Sequence, residues 1–330
     1  MIAHDLLRPS VLKDLCVRAG MRPEKSSGQN FLINRATLDR IVAAVDPQPG
    51  DLILEIGAGF GVLTLALAEQ LKNGGRIFAI ERDRRIVPIL HEFVGPHGNV
   101  DVVEGDVLRL FKFILRESSD RRISPMPDAR ASSTSTRVGE MLRRSAPQHK
   151  LKIAANLPYG ITSDFLRLLF DHVADGTLPV PDRVVLLLQR EVVDRLTADS
   201  KRASDRGAVG VLTMLARLHC TPRRIARVPP GHFWPPPKVE SAVVVLDGWR
   251  SPARLQELLG TVSRDEVIRL IHAAFARRRG QISGILQRYT KRSREDVERI
   301  LSALHIAPVA RPETLTIEQW IGLARMLAGG

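Results

Sequence analysis

Asn156-Leu157-Pro158-Tyr159 places a primary amide, a proline-fixed turn and an aromatic ring within four residues. An amide oxygen accepts hydrogen bonds from an amine. A prolyl turn withholds one N–H and presents carbonyls, and a ring face stacks on a flat heterocycle. The chemistry suited to this group is the capture of a nucleobase by its exocyclic amine. The same tetrapeptide also makes an ordinary turn, so its neighbours in the fold must decide.

Three further groups bear on that decision. Gly57-Ala58-Gly59-Phe60-Gly61 follows the apolar run Leu52–Ile56 and precedes a helical pattern from Val62 to Leu71. Strand, glycine turn and helix open a nucleotide-binding βαβ unit. A dinucleotide fingerprint would need glycine at 62, where Val62 stands. The looser loop suits a nucleoside without a pyrophosphate, such as S-adenosylmethionine. Glu81, 24 positions beyond Gly57, ends a second strand, Arg76–Ile80, where a carboxylate can accept both hydroxyls of a ribose. Asp106 follows a third strand, Asn99–Val103, and is placed to accept an adenine amine. Asn156 follows a further strand, Ile153–Ala155. Four candidates thus fall at the carboxyl ends of parallel strands, the rim where doubly wound sheets bind ligands.

The chemistry that this rim suits is methyl transfer to an adenine N6. The amine lone pair is delocalised into the ring. Hydrogen bonds to the Asn156 oxygen and to the backbone carbonyl of Leu157 or Pro158 favour a more tetrahedral nitrogen, which can attack a sulfonium methyl held in line. Tyr159 would stack on the base and Phe233 would cover its other face. No separate strong general base stands out, and a positively charged sulfonium lessens the need for one.

These elements set the expected architecture: α/β, a Rossmann-like, mostly parallel doubly wound sheet with a terminal antiparallel strand pair, plus a small all-α C-terminal domain. Helices are expected over 10–19, 35–45, 84–93, 162–172, 191–197 and 210–218, and a fifth strand over 183–189. Ile225–Val228 and Ser241–Leu246 form the strand pair, joined by a proline-dense rim carrying Phe233 and Trp234. Residues 112–150, rich in Ser, Arg, Pro and Thr, are expected to be a flexible insertion. Helical periodicity takes over beyond Asp247, with helices near 264–289 (a break at Gly280), 295–304 and 317–327. The expected domains are therefore 1–247 and 248–330.

The 330 residues carry a net charge of +13 and a sequence pI of about 10.6, which favours a polyanionic partner. Arg190, Arg195, Lys238, Arg277, Arg278 and Arg279 are the candidate RNA contacts. Cys16 and Cys220 make neither a zinc cluster nor a disulfide framework, so no metal is expected. No apolar run is long enough to span a membrane, and the first 20 residues lack the apolar core of a signal peptide. A cytoplasmic monomer is expected.

Gly28-Gln-Asn-Phe-Leu32, Glu55-Ile-Gly-Ala-Gly59, Asn156-Leu-Pro-Tyr159, Leu188-Gln-Arg-Glu-Val-Val-Asp-Arg-Leu196, Pro235–Val239 with Ser241–Val244, and Ala274–Arg279 occur in that order. In this combination the chain resembles the small-subunit ribosomal RNA adenine dimethyltransferases of the KsgA/RsmA type over nearly its whole length. The resemblance implies transfer of two methyls from S-adenosylmethionine to N6 of each of two adjacent adenines. These lie in a hairpin loop near the 3′ end of 16S rRNA, within an assembling 30S-type subunit. It implies cofactor contacts at Asn30, Leu32, Gly57, Glu81, Asp106 and Asn156. Two other readings keep the basic surface: a large-subunit rRNA adenine methyltransferase of the macrolide-resistance type, and a mainly non-catalytic assembly factor. The chain departs from the family in Lys25-Ser26-Ser27, in the length of 112–150, and in Arg206-Gly207.

Overall fold

The structure is a computed structural model that describes residues 3–21, 29–111 and 149–328. The Lys25–Ser27 arm, Gly28 and the expected insertion, except its last two residues, lie outside the described residues.

The chain divides into two compact units, residues 1–193 with 223–249 and residues 194–222 with 250–330. Among the described residues there are nine strands, all in the first unit but for the first two residues of β7: β1 (Phe31–Leu32), β2 (Leu52–Ile56), β3 (Arg76–Glu81), β4 (Val100–Glu104), β5 (Leu151–Asn156), β6 (Arg183–Gln189), β7 (Thr221–Val228), β8 (Phe233–Trp234) and β9 (Ser241–Asp247). Seven of them form one sheet in the order β4-β3-β2-β5-β6-β9-β7. The run from β4 to β6 is parallel, and β9 pairs antiparallel with β6, Gln189 opposite Ser241. All five residues of β2 are buried, as are residues 77–81 of β3, so these strands are covered on both faces and read as near-continuous apolar runs. β1 and β8 form a separate antiparallel ladder, with Leu32 opposite Phe233. This pairing is not anticipated from the sequence, because two-residue strands carry no periodicity.

Local chemistry sets the helix ends. Helix Arg35–Val45 starts where the Asn34 side chain accepts the Thr37 N–H at 2.9 Å, and ends on Asp46 in a left-handed conformation. Helix Val62–Gln70 is apolar nearly all round and burying it on the sheet supplies its stability. The helix expected from Arg84 begins at Val87 instead. Asp83 accepts the Arg85 N–H through its side chain and those of Ile86 and Val87 through its carbonyl, so a turn precedes the helix. Pro88 then sits in the first helical turn, where it lacks no needed bond.

In the second unit, serine caps recur. Ser251 accepts from Arg254 N–H, Ser263 and Glu266 form a reciprocal capping box, and Ser293 accepts from Asp296 N–H. The pattern expected over 264–289 is two helices, Arg264–Phe275 and Ile282–Thr290, parted around Gly280. Residues 194–222 group with these helices rather than with the sheet. Helix Val211–His219 packs against Arg264–Phe275 and Ile317–Ala328, and Arg264 Nε donates to His219 Nε2 at 3.1 Å. The chain therefore passes between the units three times, where the sequence suggests a single boundary near Asp247. Among the described residues no helix is long and apolar enough to cross a membrane.

Candidate active site

The topology puts the switch point of the sheet between β2 and β5, since the chain runs outward from β2 through β3 to β4 and resumes on the other side with β5 and β6. A cavity of about 310 Å³ opens at this point. Asn30, Leu32, Gly57, Glu81, Asp106, Asn156, Leu157, Pro158 and Tyr159 all line it. Nine positions scattered over 130 residues thus converge on one hollow.

Gly57 occupies φ +74°, and a Cβ there would stand 3.4 Å from the Asn156 carbonyl oxygen. The two strand ends approach this closely because position 57 has no side chain. Its N–H and that of Ala58 both go to the Ile80 carbonyl, which ties the loop to β3.

Glu81 is buried at the end of β3. Oε2 accepts the Gly59 N–H and Oε1 the Asp83 N–H, each at 2.8 Å. Burial pushes its carboxyl above the ordinary range, while these N–H groups pull it back. The Arg82 N–H also pulls it back, and since a carboxylate offers about four acceptor positions, Glu81 keeps acceptor capacity for a hydroxyl. Asp106 uses Oδ1 to accept the Leu108 N–H at 2.8 Å, capping the helical turn that follows, and Arg82 Nη1 lies 3.6 Å from its Oδ2. It serves as a cap and still faces the cavity. These features fit a nucleoside cofactor: a backbone-anchored carboxylate with spare lone pairs, a glycine turn without side-chain obstruction, and a second carboxylate across the hollow.

Asn156 donates from Nδ2 to the Asn30 carbonyl at 3.1 Å. That bond fixes the orientation of the amide and leaves Oδ1 as the acceptor. Leu157 is buried at 2% exposure and anchors the turn. The Pro158 carbonyl accepts the Ile161 N–H within the 3₁₀ turn Tyr159–Ile161. Of the two backbone acceptors expected from the sequence, Leu157 is therefore the uncommitted one. Tyr159 is held at its hydroxyl by Ser241 Oγ, 2.8 Å away, and burial pushes its phenol pKa up.

Phe233 does not belong to this group. It is 2% exposed, paired with Leu32 across the β1–β8 ladder and packed in the core with Val228, Val243 and Val245. Its ring is held in the core by β8 and is not presented to a base. Besides Tyr159, the aromatics that line the cavity are Phe31 and Phe60, which pack at 5.0 Å between centroids.

Several cavity residues have little signature in sequence. Glu55 is 2% exposed within β2, and its Oε2 has no partner among the described residues. Burial pushes its carboxyl up to about 8, against a lowering from Thr64 and with a smaller rise from Glu81. An acid inside an apolar strand is the signal that could have marked it. Gln29 Nε2 donates to Asp83 Oδ2 at 3.2 Å, joining the N-terminal loop to the end of β3. The Arg85 guanidinium beside Asp83 holds that carboxyl down at about 2. Leu6 and Leu12 also contribute to the wall, far from any motif.

The candidate RNA contacts are surface residues. Arg190 lies 3.3 Å from Glu240, and Arg195 and Lys238 are exposed. In the second unit, Arg277, Arg278 and Arg279 line a hollow together with Arg288. Arg277 and Arg279 are exposed; Arg278 is partly buried, donates to the Arg206 carbonyl and reaches Glu313 at 4.0 Å. Among the described residues no cluster of His, Cys, Asp or Glu has the grouping of a metal site.

The family model and the curated relatives agree on one kinship. The family model for ribosomal RNA adenine dimethylases matches residues 21–328. The small-subunit rRNA methyltransferase A of Synechococcus elongatus is 33% identical, covering 92% of this chain and 94% of its own. That of Anaeromyxobacter dehalogenans is 36% identical, covering 94% and 95%. Among solved structures, a dimethyladenosine transferase from Plasmodium falciparum aligns with a TM-score of 0.63 at 21% identity, over 89% of this chain and 95% of its own, a likeness of fold.

Proposed function

The chain belongs to the ribosomal RNA adenine dimethylase family, and on that premise we propose that the cavity at the β2–β5 switch point is where it transfers methyl groups to adenine N6 of small-subunit rRNA. The observation that supports the assignment is the amide of Asn156, held through Nδ2 on the Asn30 carbonyl with Oδ1 left as acceptor, on a residue that lines the same hollow as Glu81 and Asp106.

Glu81 would hold the ribose hydroxyls of S-adenosylmethionine and Asp106 its adenine amine, with Asn30, Leu32 and Gly57 forming the wall along it. When bound, that cofactor supplies a methyl group on a positively charged sulfur. The protein's part is to hold and orient the acceptor. Asn156 Oδ1 and the Leu157 carbonyl take the two N–H bonds of the adenine amine and favour a tetrahedral nitrogen whose lone pair faces the methyl. Tyr159 stacks on the base, as a base swung out of its strand requires. The amine proton leaves to solvent once the new N–C bond forms. Arg190, Arg195, Lys238, Arg277, Arg278 and Arg279 would carry the RNA backbone, in keeping with the +13 charge.

The targets proposed are two adjacent adenines in a hairpin loop near the 3′ end of 16S rRNA, each dimethylated within an assembling small subunit. The protein would act in the cytoplasm as a monomer. Incubation with labelled S-adenosylmethionine and under-methylated small subunits should yield N6,N6-dimethyladenosine in small-subunit RNA. Label appearing only in large-subunit RNA would overturn the substrate assignment. Absence of transfer with intact particle binding would favour an assembly factor.

A further inference from the structure

Tyr159 sits in a single 3₁₀ turn beyond the end of β5 and is partly buried. A ring in such a turn would sample several side-chain rotamers if nothing held it. Its hydroxyl is held by Ser241 Oγ at 2.8 Å. Ser241 is fully buried and begins β9, in register with Gln189 of β6, so its own position is set by the sheet. The tether therefore runs from the most local piece of the site to one of its most rigid elements. It acts at the phenol oxygen, on the long axis of the ring, so it anchors the far end of the ring without covering either π face.

We propose that Ser241 is a positioning residue for the captured base: its hydroxyl anchors the far end of the Tyr159 ring, and hence the place at which the adenine stacks beside Asn156. This rests on the reading of Tyr159 as the stacking residue. A merely structural role would be met by any packing that fills the space of a hydroxyl. A positioning role requires that the bond to Tyr159, from either side, be what matters.

The two roles separate in steady-state kinetics on under-methylated small subunits. Tyr159→Phe and Ser241→Ala each delete the same bond, one from the ring and one from the sheet. Each should lower kcat/KM for the RNA by about 3- to 10-fold, the factor expected for one neutral hydrogen bond. The double variant should be no worse than the poorer single, because it leaves no orphaned hydroxyl. The Kd for S-adenosylmethionine, measured by calorimetry, should not change. The chain has two tyrosines, so ring-labelled tyrosine gives two NMR signals, and Ser241→Ala should move that of Tyr159. Full turnover in Ser241→Ala, losses that multiply in the double variant, or a parallel rise in the cofactor Kd would each overturn the proposal. If Ser241→Ala does not fold, Tyr159→Phe alone decides, since unchanged turnover there shows that the bond is dispensable. Tyr159→Ala tests the underlying reading separately. Full activity in that variant ends the stacking role, whereas its loss beside an unaffected Ser241→Ala ends only the role of Ser241.

Discussion

Glu55→Gln should stabilise the protein, and increasingly so as pH rises. Glu55 is buried in β2 with Oε2 unpartnered among the described residues, and burial raises its carboxyl from the ordinary 4.5 to about 8. Below pH 4.5 the acid is neutral whether the chain is folded or not, so it contributes no pH-dependent term. Between 4.5 and 8 the unfolded chain ionises it while the folded chain retains the proton. The folded state then binds more protons, and its stability falls with rising pH. Above about 8 both forms are ionised and the penalty levels off. At ~1.36 kcal/mol per pH unit the gap sets a ceiling of about 5 kcal/mol; side-chain relaxation and water entry lower it to a few kcal/mol. Glutamine keeps the shape of the neutral acid and cannot ionise. Thermal unfolding of the two proteins at pH 4.5, 6, 7.5 and 9 should give melting temperatures that start close together. They should then separate by several degrees in favour of Glu55→Gln by pH 8, with little change beyond. A difference that stays constant from pH 4.5 to 9, or that favours the wild type at high pH, would refute the argument that β2 buries a protonated acid.

Three further outcomes follow from the same geometry. Asn156→Ala removes the acceptor aimed at the amine and should lower methyl transfer by about 100-fold or more, while binding to small subunits changes by less than about twofold; unchanged turnover would sink its catalytic role. Gly61→Ala should destabilise the first unit by about 1–3 kcal/mol, since position 61 holds φ +93° and a Cβ would meet Leu90 Cδ1 at 2.8 Å; equilibrium denaturation reads it, and a wild-type midpoint would contradict it. Arg277→Ala and Arg279→Ala should each reduce the slope of log affinity against log salt for small-subunit RNA by about one while leaving cofactor binding unchanged; an unaltered slope would remove those two guanidiniums from the interface.

The parallel half of the sheet was legible because its strands are short apolar runs between glycine turns, and each strand end carries a polar residue of distinct chemistry. Glu81, Asp106 and Asn156 stand out for that reason, and the structure brings them to one hollow. What the sequence concealed is long-range. The β1–β8 ladder joins residues two hundred positions apart through strands of two residues, too short for any period to show. Phe233 looked like a rim aromatic because prolines surround it, but the ladder turns it into the core. Lys152 looks out of place in β5 until Asp51 is found 2.7 Å away, both buried, at the opposite end of the sheet from the cavity. Helix Val211–His219 reads like any other amphipathic helix, and only the partners of its apolar face place it in the second unit.

The chemistry of a tetrapeptide says which atoms are available but not which are free to act. In Asn156-Leu157-Pro158-Tyr159 three of the polar groups are already engaged: Nδ2 of Asn156 with Asn30, the Pro158 carbonyl with Ile161, the Tyr159 hydroxyl with Ser241. Each engagement comes from a different part of the fold, namely the N-terminal loop, the 3₁₀ turn and the antiparallel strand β9. What they leave is one amide oxygen, the Leu157 carbonyl and the faces of one ring. On the proposed reading those are the groups an adenine amine and its base need. The engaged atoms thus define the site as much as the free ones do, because a catalyst that works by positioning needs its acceptors aimed before the base arrives.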